Sequence, residues 1–443
     1  MYPDQQSASA QLFDRARRVI ADGVSRTTIN MAPYPLYVTR GQGSRVWDAD
    51  GNELIDFINN YTSLIHGHAQ PDIAAAVGAQ ITNGAAFSFG TETEIELAEM
   101  LCARIPGVER MRFCNSGTEA VMNTIKAARA YTGRPKIAKC EGAYHGSYDY
   151  AEVSLGVGPD HWGEADAPNA APYSAGTPQS VLDDVVIIPF NDIEAAEKIL
   201  DRHGAEIAGV MLDPVSTQVG MIDFDPDYLA MVQRACKRHD MLLMFDEVIA
   251  LRIGYSGGQG RLGITPDLTA MGKIIGGGFP VGAVGGRAEV MAVFEGNGQK
   301  APLPHGGTFN ANPVTMVAGK ACMAMMDEAA FDRLNDLGER ARARLREALA
   351  LANTEGQITG PASLFRIHLH SRPMRTYRDA WSPPQEREAI TALHRHLINK
   401  GVFISTTGMG CMSTVMTDDD IDRLADATLS GLRQLREDGL LPE

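Results

Sequence analysis

Between about residues 90 and 290, short runs of apolar residues alternate with helical patterns, and this alternation restricts the fold more than any other feature. The runs at 111–114, 136–140, 185–189, 209–212 and 242–245 are apolar or β-branched and have the length of buried strands. Between them, 118–131, 192–203 and 227–238 carry helical periodicity. Parallel neighbours need a crossover between strands, usually a helix. The pattern therefore predicts an α/β fold: a mainly parallel sheet covered on both faces by helices. In such sheets ligands bind beyond the carboxyl ends of the strands. Ser116, Asp213 and Asp246 each fall just past a strand end, so they are expected to converge there.

The chain of 443 residues is too long for one ordinary core. Residues 76–315 are expected to form a large domain, with 1–75 and 316–443 combining into a smaller α+β domain. The segment 46–57 reads as a hairpin around Asp50-Gly51-Asn52, and 364–369 and 402–405 read as strands near the other end. The stretch 157–180, rich in Gly, Pro, Ala and Asp, is too long for an ordinary connection, so it is expected to be disordered or a lid.

A net charge of -15 argues against a nucleic-acid partner, which needs a basic surface. Residues 1–20 lack the basic-then-apolar order of a secretory signal, and no apolar run approaches the length that spans a bilayer. The six cysteines show no metal spacing and are expected to be reduced. A cytoplasmic enzyme is the expectation.

Three segments carry chemistry. Ser116-Gly117-Thr118 follows a strand and opens a helix, where free N–H groups and the helix dipole favour an anion. The same residues also suit a plain helix cap with Glu119 in the first turn. Asp246 emerges from a buried strand and can pair with a protonated pyridine nitrogen; as a structural residue it would cap a turn. Lys273 sits between Met271-Gly272 and Ile274-Ile275-Gly276, and an apolar setting lowers an amine's pKa and makes it nucleophilic. A lysine, an acid and a phosphate turn together describe pyridoxal phosphate. Val248 and Tyr144 are candidates to contact its ring, and Thr308, in a second polar glycine-rich segment, to reach its phosphate; taken singly, Val248 is equally a core residue and a lone loop tyrosine is more often structural. The glycines after Lys273 lack the G-x-G-x-x-G spacing, which rejects a dinucleotide loop. His66-Gly67-His68 has no third ligand in view and reads as a turn, so no metal site is expected.

With these motifs on the page, the sequence resembles the class III aminotransferases of the fold-type I pyridoxal-phosphate enzymes from about Phe13 to Leu435, including glutamate-1-semialdehyde aminomutases and β-amino-acid aminotransferases. The resemblance implies that Ser116, Gly117 and Thr118 hold the phosphate and that Tyr144 stacks on the ring. Val248 would back the ring, Asp246 pair with its nitrogen, and Lys273 hold it as an internal aldimine. Thr308 would reach the phosphate of a neighbouring subunit, which implies a homodimer with shared sites. Arg26, in Ser25-Arg26-Thr27-Thr28, resembles a carboxylate-binding arginine of the β-amino-acid enzymes. A second arginine of those enzymes has no counterpart in the stretch 404–409, and Asp213 stands where relatives usually carry Glu. The implied activity is transfer from an amine or β-amino acid to an oxo acceptor, with intramolecular aminomutation as the alternative.

Overall fold

The computed structural model describes residues 2–441, which divide into two compact units. The larger comprises Asp72–Asp332 with Arg372–Trp381; the other contains the chain up to Pro71, Arg333–Ser371, and the chain from Ser382 onward.

The larger unit is built on a seven-stranded sheet. Its strands, in chain order, are β1 (Arg110–Cys114), β2 (Lys136–Cys140), β3 (Val185–Ile188), β4 (Ile207–Leu212), β5 (Leu242–Asp246), β6 (Leu268–Gly272) and β7 (Gly282–Gly286). They lie in the order β1-β7-β6-β5-β4-β2-β3. Only β7 runs against its neighbours. The expected α/β architecture is therefore present, and the helices α1 (Gly117–Thr132), α2 (Ile193–His203) and α3 (Pro226–His239) match the expected bounds to within one residue at each end.

Side chains alternate along each strand, so successive residues join different cores. Ile137, Met211, Leu242 and Met244 pack in the cluster that contains Val121 and Ile125 of α1. Ala138, Val210, Leu243 and Phe245 pack with Ile199 of α2 and Val232 of α3. Because both faces are buried, these strands read as continuous apolar runs. Each fully buried Leu or Phe contributes about 1.5–3 kcal/mol.

Strands β6 and β7 were absent from the expectation. Gly282-Ala283-Val284-Gly285-Gly286 has little strand propensity. The glycine is required at 282, where a Cβ would overlap the Ser116 carbonyl oxygen and approach Cys114 Sγ to 2.7 Å. Lys273 has a defined backbone context that the sequence did not show. It follows β6 directly and opens a short 3₁₀ turn, Lys273–Gly276.

The segment 157–180 carries its own structure, so the disorder expected as one alternative is not present. It holds a 3₁₀ turn, Pro159–His161, and a two-strand ribbon, Gly163–Glu164 with Ala167–Pro168. Arg378 ties it down by donating to the carbonyls of Trp162, Gly163 and Glu164 while pairing with Glu141. Trp162 packs edge-on against Tyr377 and Trp381.

In the other unit, Arg45–Asp48 and Glu53–Asp56 form the antiparallel hairpin expected, and Val402–Phe403 adds in parallel beside Glu53–Asp56. His66 bonds Thr414 Oγ1 at 2.9 Å and His68 bonds Asp56 Oδ2 at 2.8 Å. No helix among the described residues is long and apolar enough to cross a membrane.

Candidate active site

The turn from β1 into α1 starts at Ser116, whose extended backbone and side chain make the cap: its Oγ accepts from Glu119 N at 3.1 Å. The Glu119 carboxylate reaches back to accept from Asn115 N at 2.7 Å. The plain cap is thus present. It leaves the first-turn N–H groups of Gly117 and Thr118 without helical partners, as at every helix start, so the cap is compatible with an anion at this turn. Thr118 Oγ1 accepts from Ser147 N at 3.2 Å, which fastens the loop bearing Tyr144 and His145 beside this turn.

Val248 joins the turn to the lysine. A Cβ on Gly117 would meet Val248 Cγ1 at 2.9 Å, and one on Gly272 would meet the same methyl at 3.3 Å. Gly272 is the residue before Lys273, so the Ser116 turn, the branched side chain and the Lys273 backbone come together. Lys273 holds φ at +51°, in the left-handed region, which costs an L-residue about 1–2 kcal/mol. Strain of this kind persists where surrounding structure enforces it, as at functional sites. Burial pulls the Lys273 amine down to about 8, against the opposing pull of the Asp246 carboxylate.

Asp246 ends β5 and is buried. Its Oδ1 accepts from Val248 N at 3.1 Å, and its Oδ2 lies 2.9 Å from His145 Nδ1. The adjacent carboxylate points elsewhere: Glu247 accepts from the backbone N–H groups of Gly258 and Gln259 at 2.7 and 2.8 Å. Of these two adjacent carboxylates, Asp246 is the one left available at this edge. Tyr144, on the loop after β2, is partly exposed, and burial with the nearby Asp246 charge raises its hydroxyl pKa.

Thr308 is exposed on the loop that leads to Asn310, and Asn310 Oδ1 accepts from Asn115 Nδ2 at 2.7 Å, so that loop is tied to the Ser116 turn. Arg26 belongs to the other unit, where it donates to Asn60 Oδ1 at 2.9 Å. Sequence reasoning named Tyr144 but passed over its neighbour His145, which is buried and bonded to Asp246. The signal was present as a ring nitrogen one residue from a candidate stacking residue, but nothing local says which carboxylate it meets.

The sequence matches the family model described as aminotransferase class-III over residues 27–429. It is 37% identical over 440 residues to a glutamate-1-semialdehyde 2,1-aminomutase of Methanopyrus kandleri, covering 98% of this chain and 99% of the relative. Among solved structures, an omega-transaminase from Sphaerobacter thermophilus superposes with a TM-score of 0.94 at 52% identity, covering 98% of this chain and 99% of that one. A β-phenylalanine aminotransferase from Variovorax paradoxus gives 0.88 at 35% identity, covering 98% and 95%.

Proposed function

The chain belongs to the class-III aminotransferase family, and from that premise we propose that it is a pyridoxal-phosphate enzyme moving an amino group from an amine or β-amino acid to an oxo acceptor. The observation that carries this reading is the contact of Val248 with both Gly117 and Gly272, which gathers the anion turn and Lys273 around one space.

The donor set fits the cofactor. The free N–H groups at Gly117 and Thr118, with the hydroxyls of Ser116 and Thr118, would hold its phosphate. Asp246 would pair with the ring nitrogen, with Val248 and Tyr144 at the ring faces. When bound, the group supplies an electron sink for the pair left when a C–H bond of the amine breaks. Lys273 has the proton affinity for its share of the work, because an amine titrating at about 8 is present in both forms near neutral pH. Once the donor amine has displaced it, its Nζ would take the proton from the donor carbon and deliver it to the cofactor's C4′. Asp246 is held by His145 and Val248 N and would stabilise the positive charge of the ring nitrogen.

The amine and β-amino-acid preference draws support from the likeness to the omega-transaminase and the β-phenylalanine aminotransferase. Arg26 is our candidate for a substrate carboxylate. A homodimer with shared sites, Thr308 serving the neighbouring phosphate, is supported by exposed apolar side chains at Ile81, Phe87, Phe89 and Ile95. The decisive experiment adds single amines, α-amino acids and β-amino acids to the holoenzyme and follows the cofactor's absorbance. Conversion to the pyridoxamine form by amines or β-amino acids is expected, and no conversion by any of them would refute amino transfer.

Aminomutation is a second reading, supported by the 37% identity to an aminomutase across nearly the whole chain. An aminomutase isomerises an amino aldehyde supplied alone, whereas a transaminase needs a separate donor and acceptor.

A further inference from the structure

Asp213 has no part in the scheme above, although it is a carboxyl almost wholly inside the protein. It follows β4 as Asp246 ends β5, and Leu212 pairs with Phe245, so the two acids leave neighbouring parallel strands roughly one strand spacing, about 5 Å, apart. His145 completes the group. Its Nδ1 meets Asp246, while its Nε2 is buried with no hydrogen-bond partner among the described residues. Asp213 Oδ1 is likewise buried and unpartnered. A ring nitrogen that donates when protonated and a carboxylate oxygen that accepts are complementary, and a single water bridging them would satisfy both.

We propose that Asp213 is a positioning residue for amino transfer: acting through His145, it keeps the imidazole protonated on both nitrogens and so holds Asp246 as the anionic partner of the cofactor's ring nitrogen. This rests on the reading of Asp246 given above. The groups facing Asp213 are Lys139 and Cys140 of β2, His145 on the loop after it, Asp246 of β5, and Ser216 of its own segment. Burial and the Asp246 charge push the Asp213 carboxyl up to about 6, and His145 pulls it down. Lys139 adds a buried amine on the same strand face, its Nζ donating to the carbonyls of Ala143 at 2.9 Å and Val153 at 2.6 Å. Above about pH 6 the Asp213 carboxyl is ionised, and below it that carboxyl is neutral.

The test is a pH titration of nitrogen-15-labelled histidines by NMR in the holoenzyme, with the His145 signal assigned by its loss in His145→Gln. Asp213→Asn should make His145 lose its second proton at a pH lower by about one unit or more, the usual effect of removing a nearby opposite charge. Asp213→Glu should restore most of the wild-type value, and the acid limb of the cofactor's absorbance against pH should move with it. An unchanged His145 titration in Asp213→Asn would overturn the proposal. Asp213→Ser provides the same comparison if the Asn variant does not fold. Repeating the titration on apoprotein separates the two readings. A His145 shift without cofactor binding would indict the cofactor assignment, whereas cofactor binding without the shift would indict the role of Asp213.

Discussion

At the scale of single residues, Lys273 concentrates the account: strained backbone, an amine titrating at about 8, and Asp246 within electrostatic reach. Lys273→Ala should lower amino transfer by about 10³-fold or more while the melting temperature stays near that of the wild type. Retained transfer would remove the lysine from the chemistry. In the apoprotein, acylation of Lys273 should rise with pH and reach half its maximum near pH 8, since a folded pKa below 10.5 exposes the free amine earlier than in an unstructured lysine. Peptide mapping after timed acylation measures this, and a midpoint near 10 would contradict it. Gly117→Ala forces a methyl against Val248 and should weaken cofactor binding, and Val248→Ala should relieve the clash in the double variant. Equilibrium dialysis of the four proteins would show whether the two substitutions couple; strict additivity would separate Val248 from the turn. Lys273 and Asp246 were legible in the sequence because Asp246 follows an apolar strand and Lys273 lies in an apolar, glycine-bounded run, and both are local properties. His145 and Asp213 were not assigned, because their importance lies in which buried charges they meet across the sheet.

At the scale of elements, the helix Pro384–Asn399 carries His394 inside the protein against the ring of Phe403. Burial drops His394 to about 4. The unfolded chain binds a proton at this histidine below about 6.5, while the folded chain does not until near 4, so stability falls as pH drops through that window. The loss is about 3 kcal/mol between pH 7 and pH 4. Denaturant melts of His394→Leu should show a smaller loss over the same range, and an identical pH slope would show that other groups dominate acid unfolding. The strands β2 to β5 and the helices between them were readable because both faces of the sheet are buried and the strands form uninterrupted apolar runs. Strand β7 escaped notice because close approach to its neighbours demands glycine, which erases the strand signal. The order of 157–180 was hidden for a different reason. Its anchor, Arg378, lies more than 200 residues further along the chain.

At the scale of the whole molecule, the exposed apolar side chains at Ile81, Phe87, Phe89 and Ile95 are the feature a single chain does not explain. Phe89 is 85% exposed, so Phe89→Asp should leave the fold of one chain intact and shift the sedimentation coefficient toward that of a monomer. Loss of transfer activity in step with dissociation is expected if Thr308 serves a neighbouring site. An unchanged dimer would place the interface elsewhere, and a wild-type monomer would remove shared sites altogether. The proposed cofactor link falls on one lysine among all those in the chain, and a covalent label tests it most directly. Borohydride reduction of the holoenzyme followed by peptide mapping of the full sequence should place a phosphopyridoxyl group on Lys273. A label on Lys139, the other buried amine pulled down to about 8, or on no lysine at all, would contradict the account.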